Sequence, residues 1–342
     1  MSHVKGKVRS AGSSSGAYRP SCTVVICTRN RPEFLDQCLA AVAKLDYGRF
    51  EVLVVDNAPS DERTREVATR WRAGYVVEPV VGLSRARNHG ALVCRSEIVA
   101  YLDDDAVPER GWLSALAREF RDQRVMAATG QARPLTVNTE AERLFASMGG
   151  FDHGEERRVV DRRVRGWFEL ANFGGLGDGY NMAFRRRVFE TWPGFHESLG
   201  RGAALIAGEE HHAFFSLIDR GHRVVYTPRA VVRHPYPRTV EELQRRHLSQ
   251  LSEATAYITF MFVEEPAYRW AIVEYVLGAV FGKRRTWRCR GAKKGPQLAG
   301  TWATLAARLG GPLLYMRSAL RPPESGMAAA VAAEVPSATD PS

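Results

Sequence analysis

The feature that most restricts the fold is a rhythm. Apolar, β-prone runs alternate with helix-like segments, and several runs end abruptly in a polar residue. The runs are Cys22-Thr-Val-Val-Ile-Cys-Thr28, Phe50-Glu-Val-Leu-Val-Val-Asp56, a short Tyr75-Val-Val-Glu78, Glu97-Ile-Val-Ala-Tyr-Leu-Asp103, and Val125 to Gly130. Between them, helices are predicted from Pro32 to about Leu45, from a Ser60 or Asp61 cap to near Gly74, over 84–94, and from Glu109 to Phe120. Strands alternating with helices of this length imply βαβ units and a mostly parallel sheet. Ligands of such sheets gather at the carboxyl ends of the strands. Thr28, Asp56 and Asp103 all fall at such ends.

The fourth long run closes in Asp103-Asp104-Asp105. Strand side chains alternate faces, so Asp103 and Asp105 can share a side while Asp104 points elsewhere. Adjacent carboxylates repel unless solvent or a cation absorbs the charge. Hard oxygen ligands suit Mg²⁺ or Mn²⁺, which commonly also hold substrate phosphates. A solvated acidic turn is the plainer alternative.

Composition narrows the partners. The 342 residues are 45% apolar and 25% charged, ordinary for a globular chain, and the net charge is +10. Only six of the 48 basic residues are Lys. GC-rich coding would produce that bias, although Arg also suits bidentate phosphate contact. A basic excess favours anionic partners such as nucleotides or phospholipid surfaces. No zinc-finger or recognition-helix pattern occurs, so nucleic acid is not expected. The five cysteines (Cys22, Cys27, Cys38, Cys94, Cys289) are odd in number and form no CxxC. They read as reduced core thiols in a cytoplasmic protein. Residues 1–20 are expected to be a disordered leader, and no run is long and apolar enough to span a bilayer.

From 131 to 180 the rhythm breaks into Gly-rich loops: Gly149-Gly150, Gly174-Gly175 and Gly177-Asp-Gly-Tyr180. Gly208-Glu-Glu-His-His212 opens a helix reaching Arg220. His222–Tyr226 and Ala230–His234 read as two short strands, and helices are expected over 240–263, 266–282 and 296–319. The domain reading is a catalytic unit over 21–238, with a nucleotide-binding half at 21–130 and a donor-sugar and acceptor half at 131–238. A helical region covers 239–321, and a disordered Ala/Pro/Ser-rich tail covers 322–342.

Seven pieces in order now carry a resemblance: Val24-Val-Ile-Cys-Thr-Arg-Asn-Arg-Pro32, Val54-Val-Asp-Asn-Ala-Pro-Ser60, Gly82-Leu-Ser-Arg-Ala-Arg-Asn-His-Gly90, Tyr101-Leu-Asp-Asp-Asp-Ala-Val-Pro108, Gly179-Tyr-Asn-Met-Ala-Phe-Arg185, Gly208-Glu-Glu210 and Val231-Val-Arg-His234. Over about 22–240 the chain resembles family 2 glycosyltransferases of bacterial type with the GT-A fold. This fold is Rossmann-like, a mostly parallel sheet flanked by helices; here it would bear a C-terminal helical extension. The resemblance implies transfer of a sugar from a UDP-, dTDP- or GDP-sugar to a carbohydrate, lipid-linked or small-molecule acceptor. Thr28, Arg29, Arg31, Asp56, Arg87, Asp103, Asp104, Tyr180 and Asn181 would contact the donor, with Asn88 bracing its loop. Asp105, with Asp103 and His234, would hold Mn²⁺ or Mg²⁺. Glu210 stands where the family has a base Asp, one methylene longer than usual, and Glu209 is the alternative base. A base points to inversion of configuration; a retaining GT-A enzyme and a non-catalytic nucleotide-sugar-binding partner are the alternatives.

The last third fits the resemblance poorly. Trp270–Phe281 is apolar and is followed by Lys283-Arg-Arg-Thr-Trp-Arg288 and Arg290. Two readings stay open: a peripheral helix on the inner face of the membrane, or packing against the catalytic domain or a homodimer partner.

Overall fold

The computed structural model describes residues 18–281 and 298–320. Most of the expected leader, the 283–290 basic cluster, Cys289 and the tail lie outside the described residues. Pro20, at the end of that leader, is buried, and its carbonyl accepts from the Tyr47 hydroxyl at 2.7 Å.

The first half follows the rhythm of the sequence: β1 (Cys22–Thr28), α1 (Pro32–Val42), β2 (Phe50–Asn57), α2 (Arg63–Arg70), β3 (Gly74–Glu78), α3 (Leu83–Val93), β4 (Ile98–Asp103), β5 (Val107–Pro108), α4 (Trp112–Glu119) and β6 (Val125–Pro134). The second half adds α5 (Glu140–Ser147), β7 (Arg158–Val160), α6 (Trp167–Asn172), β8 (Asn181–Arg185), α7 (Glu209–Asp219) and β9 (Arg223–His234), then α8 (Val240–Glu264), α9 (Arg269–Val280) and α10 (Thr301–Ala319). Among the described residues these strands form one sheet in the order β3-β2-β1-β4-β8-β6-β9-β5, with β7 also on β9. β1, β2, β3 and β4 run parallel, as do β6 and β9; β8 is antiparallel to both of its neighbours.

Strand alternation builds two cores. Val24, Ile26, Ala100 and Leu102 face Leu35 and Leu39 of α1 and Trp112 and Leu116 of α4. Val25, Val99 and Tyr101 face the other way, into a cluster with Phe168, Phe214 and, from α8, Tyr257, Phe260 and Met261. The C-terminal helices therefore share the main core.

Two expectations change. The 131–180 segment is not all loop. α5 is opened by a capping box, in which the Thr139 hydroxyl accepts from the Glu142 amide and Glu142 returns the bond to Thr139. The two short strands at 222–234 are one strand, β9. Its register against β6 jumps from Gly130↔Thr227 to Gln131↔Val231. Pro228 falls in that bulge, where the ladder needs no N–H from it.

Candidate active site

After β3 the chain returns to the other side of β1 to lay down β4. Such a reversal leaves a crevice beyond the strand ends, and Cys27 pairs with Asp103 there. The following short strand β5 pairs Val107 with Arg233 of β9, which brings the acidic triplet alongside His234. One donor atom each from Asp103, Asp105 and His234 lies within 4.8 Å of the others. His234 Nδ1 faces the Pro235 carbonyl at 3.0 Å, and Nε2 faces Asp105 at 3.3 Å. A carbonyl can only accept, so Nδ1 carries the proton, and Nε2 against a carboxylate then needs a second proton or a metal ion between them. Two carboxylates and an imidazole so placed fit Mn²⁺ or Mg²⁺. Burial works against charging His234, but the Asp105 bond outweighs it and holds the ring above its ordinary value.

Asp104 takes a different course from its neighbours. It is buried, accepting from the Thr28 hydroxyl at 2.7 Å and Arg31 Nη1 at 2.6 Å, while Arg31 Nη2 reaches Asp105 at 2.8 Å. Burial pushes its carboxyl up to about 7 against these partners. Expected among the donor contacts, Asp104 instead braces the loop that carries Asp105.

A second web hangs on Arg87, 2% exposed on α3. Its guanidinium donates to Glu209 at 2.9 Å and to the Gly179 carbonyl at 3.1 Å, and lies 3.5 Å from Asp103. Glu209 and Glu210 form the first turn of α7. Gly208 before them holds φ +96°, and a Cβ there would run into the Tyr257 ring. Glu209 is tied to Arg87. Glu210 accepts nothing from Arg87 and opens on a cavity of about 380 Å³ that Asp103, His234, Tyr180 and Arg201 also line. Burial, then the Asp178 charge, raises the Glu210 carboxyl above its ordinary value. Burial, then the Glu210 charge, raises Glu209 to about 7 against the pull of Arg87.

Of the residues singled out in the sequence, Asp103, Arg87, Tyr180, Glu209, Glu210 and His234 line this one cavity. Thr28, Arg31, Asp104 and Asp105 form the braced group beside it. Arg29 is exposed. Asp56 lies one strand outward, opposite Thr28, fully buried and accepting from the Tyr75 hydroxyl at 2.8 Å. Asn88 braces as expected, bonding both ways to the Phe195 backbone at 2.9 and 2.8 Å. Asn181 departs from expectation. It is fully buried, donates to the Gln131 and Ala230 carbonyls at 3.0 and 2.9 Å, and accepts from the Trp112 indole at 2.8 Å. Its amide satisfies the carbonyls beside the β9 bulge and is spent on the fold.

Several cavity residues escaped the sequence reading. Asp178 is held by His153 Nε2 at 2.7 Å and by the Tyr180 hydroxyl. The α8 residues Arg246, Gln250, Glu253 and Tyr257 line the far wall, and Tyr257 donates to Asn172 at 2.6 Å. Their spacing of three and four is a helical face, and that polar stripe was readable. Tyr275 of α9 stacks on Phe173 at 3.5 Å and completes the wall.

The model of Glycosyl transferase family 2 matches residues 23–192, from the start of β1 through β8. The chain belongs to that family. An N-acetylglucosaminyltransferase of Rhizobium meliloti is 27% identical over 247 residues, which is 67% of this chain and 54% of the relative. This family 2 chain thus spans about half the length of the curated relatives it matches. Among solved structures, a mannosyltransferase from Pyrobaculum calidifontis in complex with GDP-Man and Mn²⁺ has a TM-score of 0.51 at 20% identity, covering 93% of this chain and 77% of that one. TarS 1–349 of S. aureus in complex with UDP-GlcNAc has a TM-score of 0.51 at 15% identity, covering 86% and 89%. The family 2 fold here is of the GT-A type, with α8, α9 and α10 as its C-terminal extension.

Proposed function

We propose that the chain transfers a sugar from a nucleoside-diphosphate sugar to an acceptor hydroxyl, with inversion and with a divalent ion. The observation that carries this reading is that Glu210 opens on the same cavity as Asp103 and His234. A base and a diphosphate-anchoring centre thereby face one space large enough for a sugar. Asp103, Asp105 and His234 would hold Mn²⁺ or Mg²⁺, which would supply Lewis-acid stabilisation of the departing diphosphate. That a structural neighbour binds Mn²⁺ with GDP-Man supports the assignment.

Glu210 takes the acceptor proton; its raised carboxyl is a stronger base than an exposed Glu. Glu209 holds Arg87, and Arg87 in turn holds the Gly179 carbonyl and faces Asp103, fixing the floor of the donor site. The polar stripe of α8 and the Phe173–Tyr275 stack offer the acceptor a wall of hydrogen-bonding groups and ring faces. GDP- and UDP-sugars, the donors in the neighbours, are the first to try. The test is product formation from each donor with a panel of sugar acceptors, with and without EDTA, and the anomeric configuration of the product by NMR. A retained anomer would remove Glu210 from the base role.

A further inference from the structure

The C-terminal helices present apolar surface that nothing among the described residues covers. On α10 and its C-cap, Trp302 (83% exposed), Leu305, Leu309, Leu313, Met316 and Leu320 (85%) all stand outward. Their spacing, every step a three or a four, is that of a single helix face. The opposite face is already committed to α8. Gly311 sits so close that a Cβ would run into Thr255 and the Ala256 nitrogen; Ser252 donates to the Ala307 carbonyl at 2.8 Å, and the Tyr315 hydroxyl donates to Glu264 at 2.7 Å. α9 repeats the pattern with Trp270 (81% exposed) and Leu277, and Phe281 just beyond it. Phe262 and Val263 at the end of α8 are also exposed, and an apolar groove of about 240 Å³ runs between Phe262 and Val276.

Charge says what covers this face. α10 contains two Arg and no acidic residue, and α9 one Arg and one Glu. Residues 282–297, which join α9 to α10 in sequence, contain seven Lys or Arg and no Asp or Glu. A second copy seated symmetrically on α10 would set its exposed Arg308 and Arg317 against the same two cations. An anionic lipid surface takes both the apolar stripe and the charge. No helix of the described residues is long and apolar enough to cross a membrane, so such helices would lie in the headgroup plane.

The geometry points to α9 and α10 as a surface that seats the protein on an anionic bilayer. α8 and α9 also line the cavity, through Tyr257 and Tyr275, which sets the bilayer about one helix layer from the cavity. This holds whatever sugar is transferred.

The full chain should sediment with vesicles of phosphatidylcholine mixed with phosphatidylglycerol and not with phosphatidylcholine alone. Binding should weaken as salt is raised, because exposed charge is screened within about 8 Å at physiological ionic strength. L309E/L313E alters only outward side chains, so circular dichroism should be unchanged while vesicle affinity falls at least about tenfold. R284A/R285A/R288A should flatten the salt dependence. Full vesicle binding by L309E/L313E would overturn the proposal, as would no binding of the unaltered chain at low salt. A dimer by light scattering that L309E/L313E dissociates, with no vesicle binding, would give the face to a second copy instead.

Discussion

At the residue scale the two glutamates of α7 separate by their partners. Glu209 is tied to Arg87, whereas Glu210 opens on the cavity. Glu210→Gln should lower kcat by at least about 10²-fold, the usual scale for loss of a general base, while leaving donor affinity nearly intact. Only the ionised carboxylate accepts a proton, and the Glu210 carboxyl is raised by burial and by Asp178. The rate should therefore fall as pH is lowered through that raised value, and the acidic limb should vanish in the Gln variant; a limb that persists belongs to another group. Asn181→Ala offers the complementary test. It strips partners from two buried carbonyls and an indole N–H, so it should cost about 2 kcal/mol or more of stability, read by denaturant unfolding. A change in donor KM with stability intact would return Asn181 to the donor site. Much of this was legible early. The Asp103/Asp105 pair announces itself through spacing, because alternation on a strand is a local property. Asp104 and Asn181 do not, because what fixes them is a partner far along the chain: Arg31 for one, the β9 bulge for the other.

At the element scale β1 to β4 and β6 could be read directly, since each is a mostly apolar run alternating with helices, whereas the two-residue β5 is too short to leave such a signal. β9 could not, because Pro228 looks like a break and becomes a bulge only when β6 lies beside it. α5 carried a usable signal in Thr139 and Glu142, hidden within a Gly-rich stretch. The α8–α10 contact rests on Gly311, where no larger side chain fits against Thr255 and Ala256. Gly311→Val should destabilise the chain by about 1–3 kcal/mol through overpacking. Thermal denaturation reads the effect, and an unshifted midpoint would mean that α10 sits further from α8 than described.

At the scale of the whole molecule, the helical region after residue 239 looks separable in sequence. In the fold it shares a core: Phe260, Met261 and Ile272 pack in the same cluster as Phe184 and Tyr226 of the sheet. Unfolding should therefore be a single cooperative transition in calorimetry, and ending the chain at residue 239 should leave an aggregating product. Two resolved transitions would make the C-terminal helices a domain of their own.

The antiparallel strand β8 lies between β4 and β6 although it comes after both in the chain. During synthesis, β4 is finished at Asp103 while the strand that will cover its edge, starting at Asn181, has yet to be made. At ribosomal rates of about 5–20 residues per second that edge stays open for on the order of ten seconds. His234 arrives later still, so the nascent chain holds Asp103 and Asp105 without their third companion. An unpaired strand edge invites pairing with a stranger. Newly made copies are thus most vulnerable in that interval, and a chaperone that shields the edge of β4 would have its largest effect on yield.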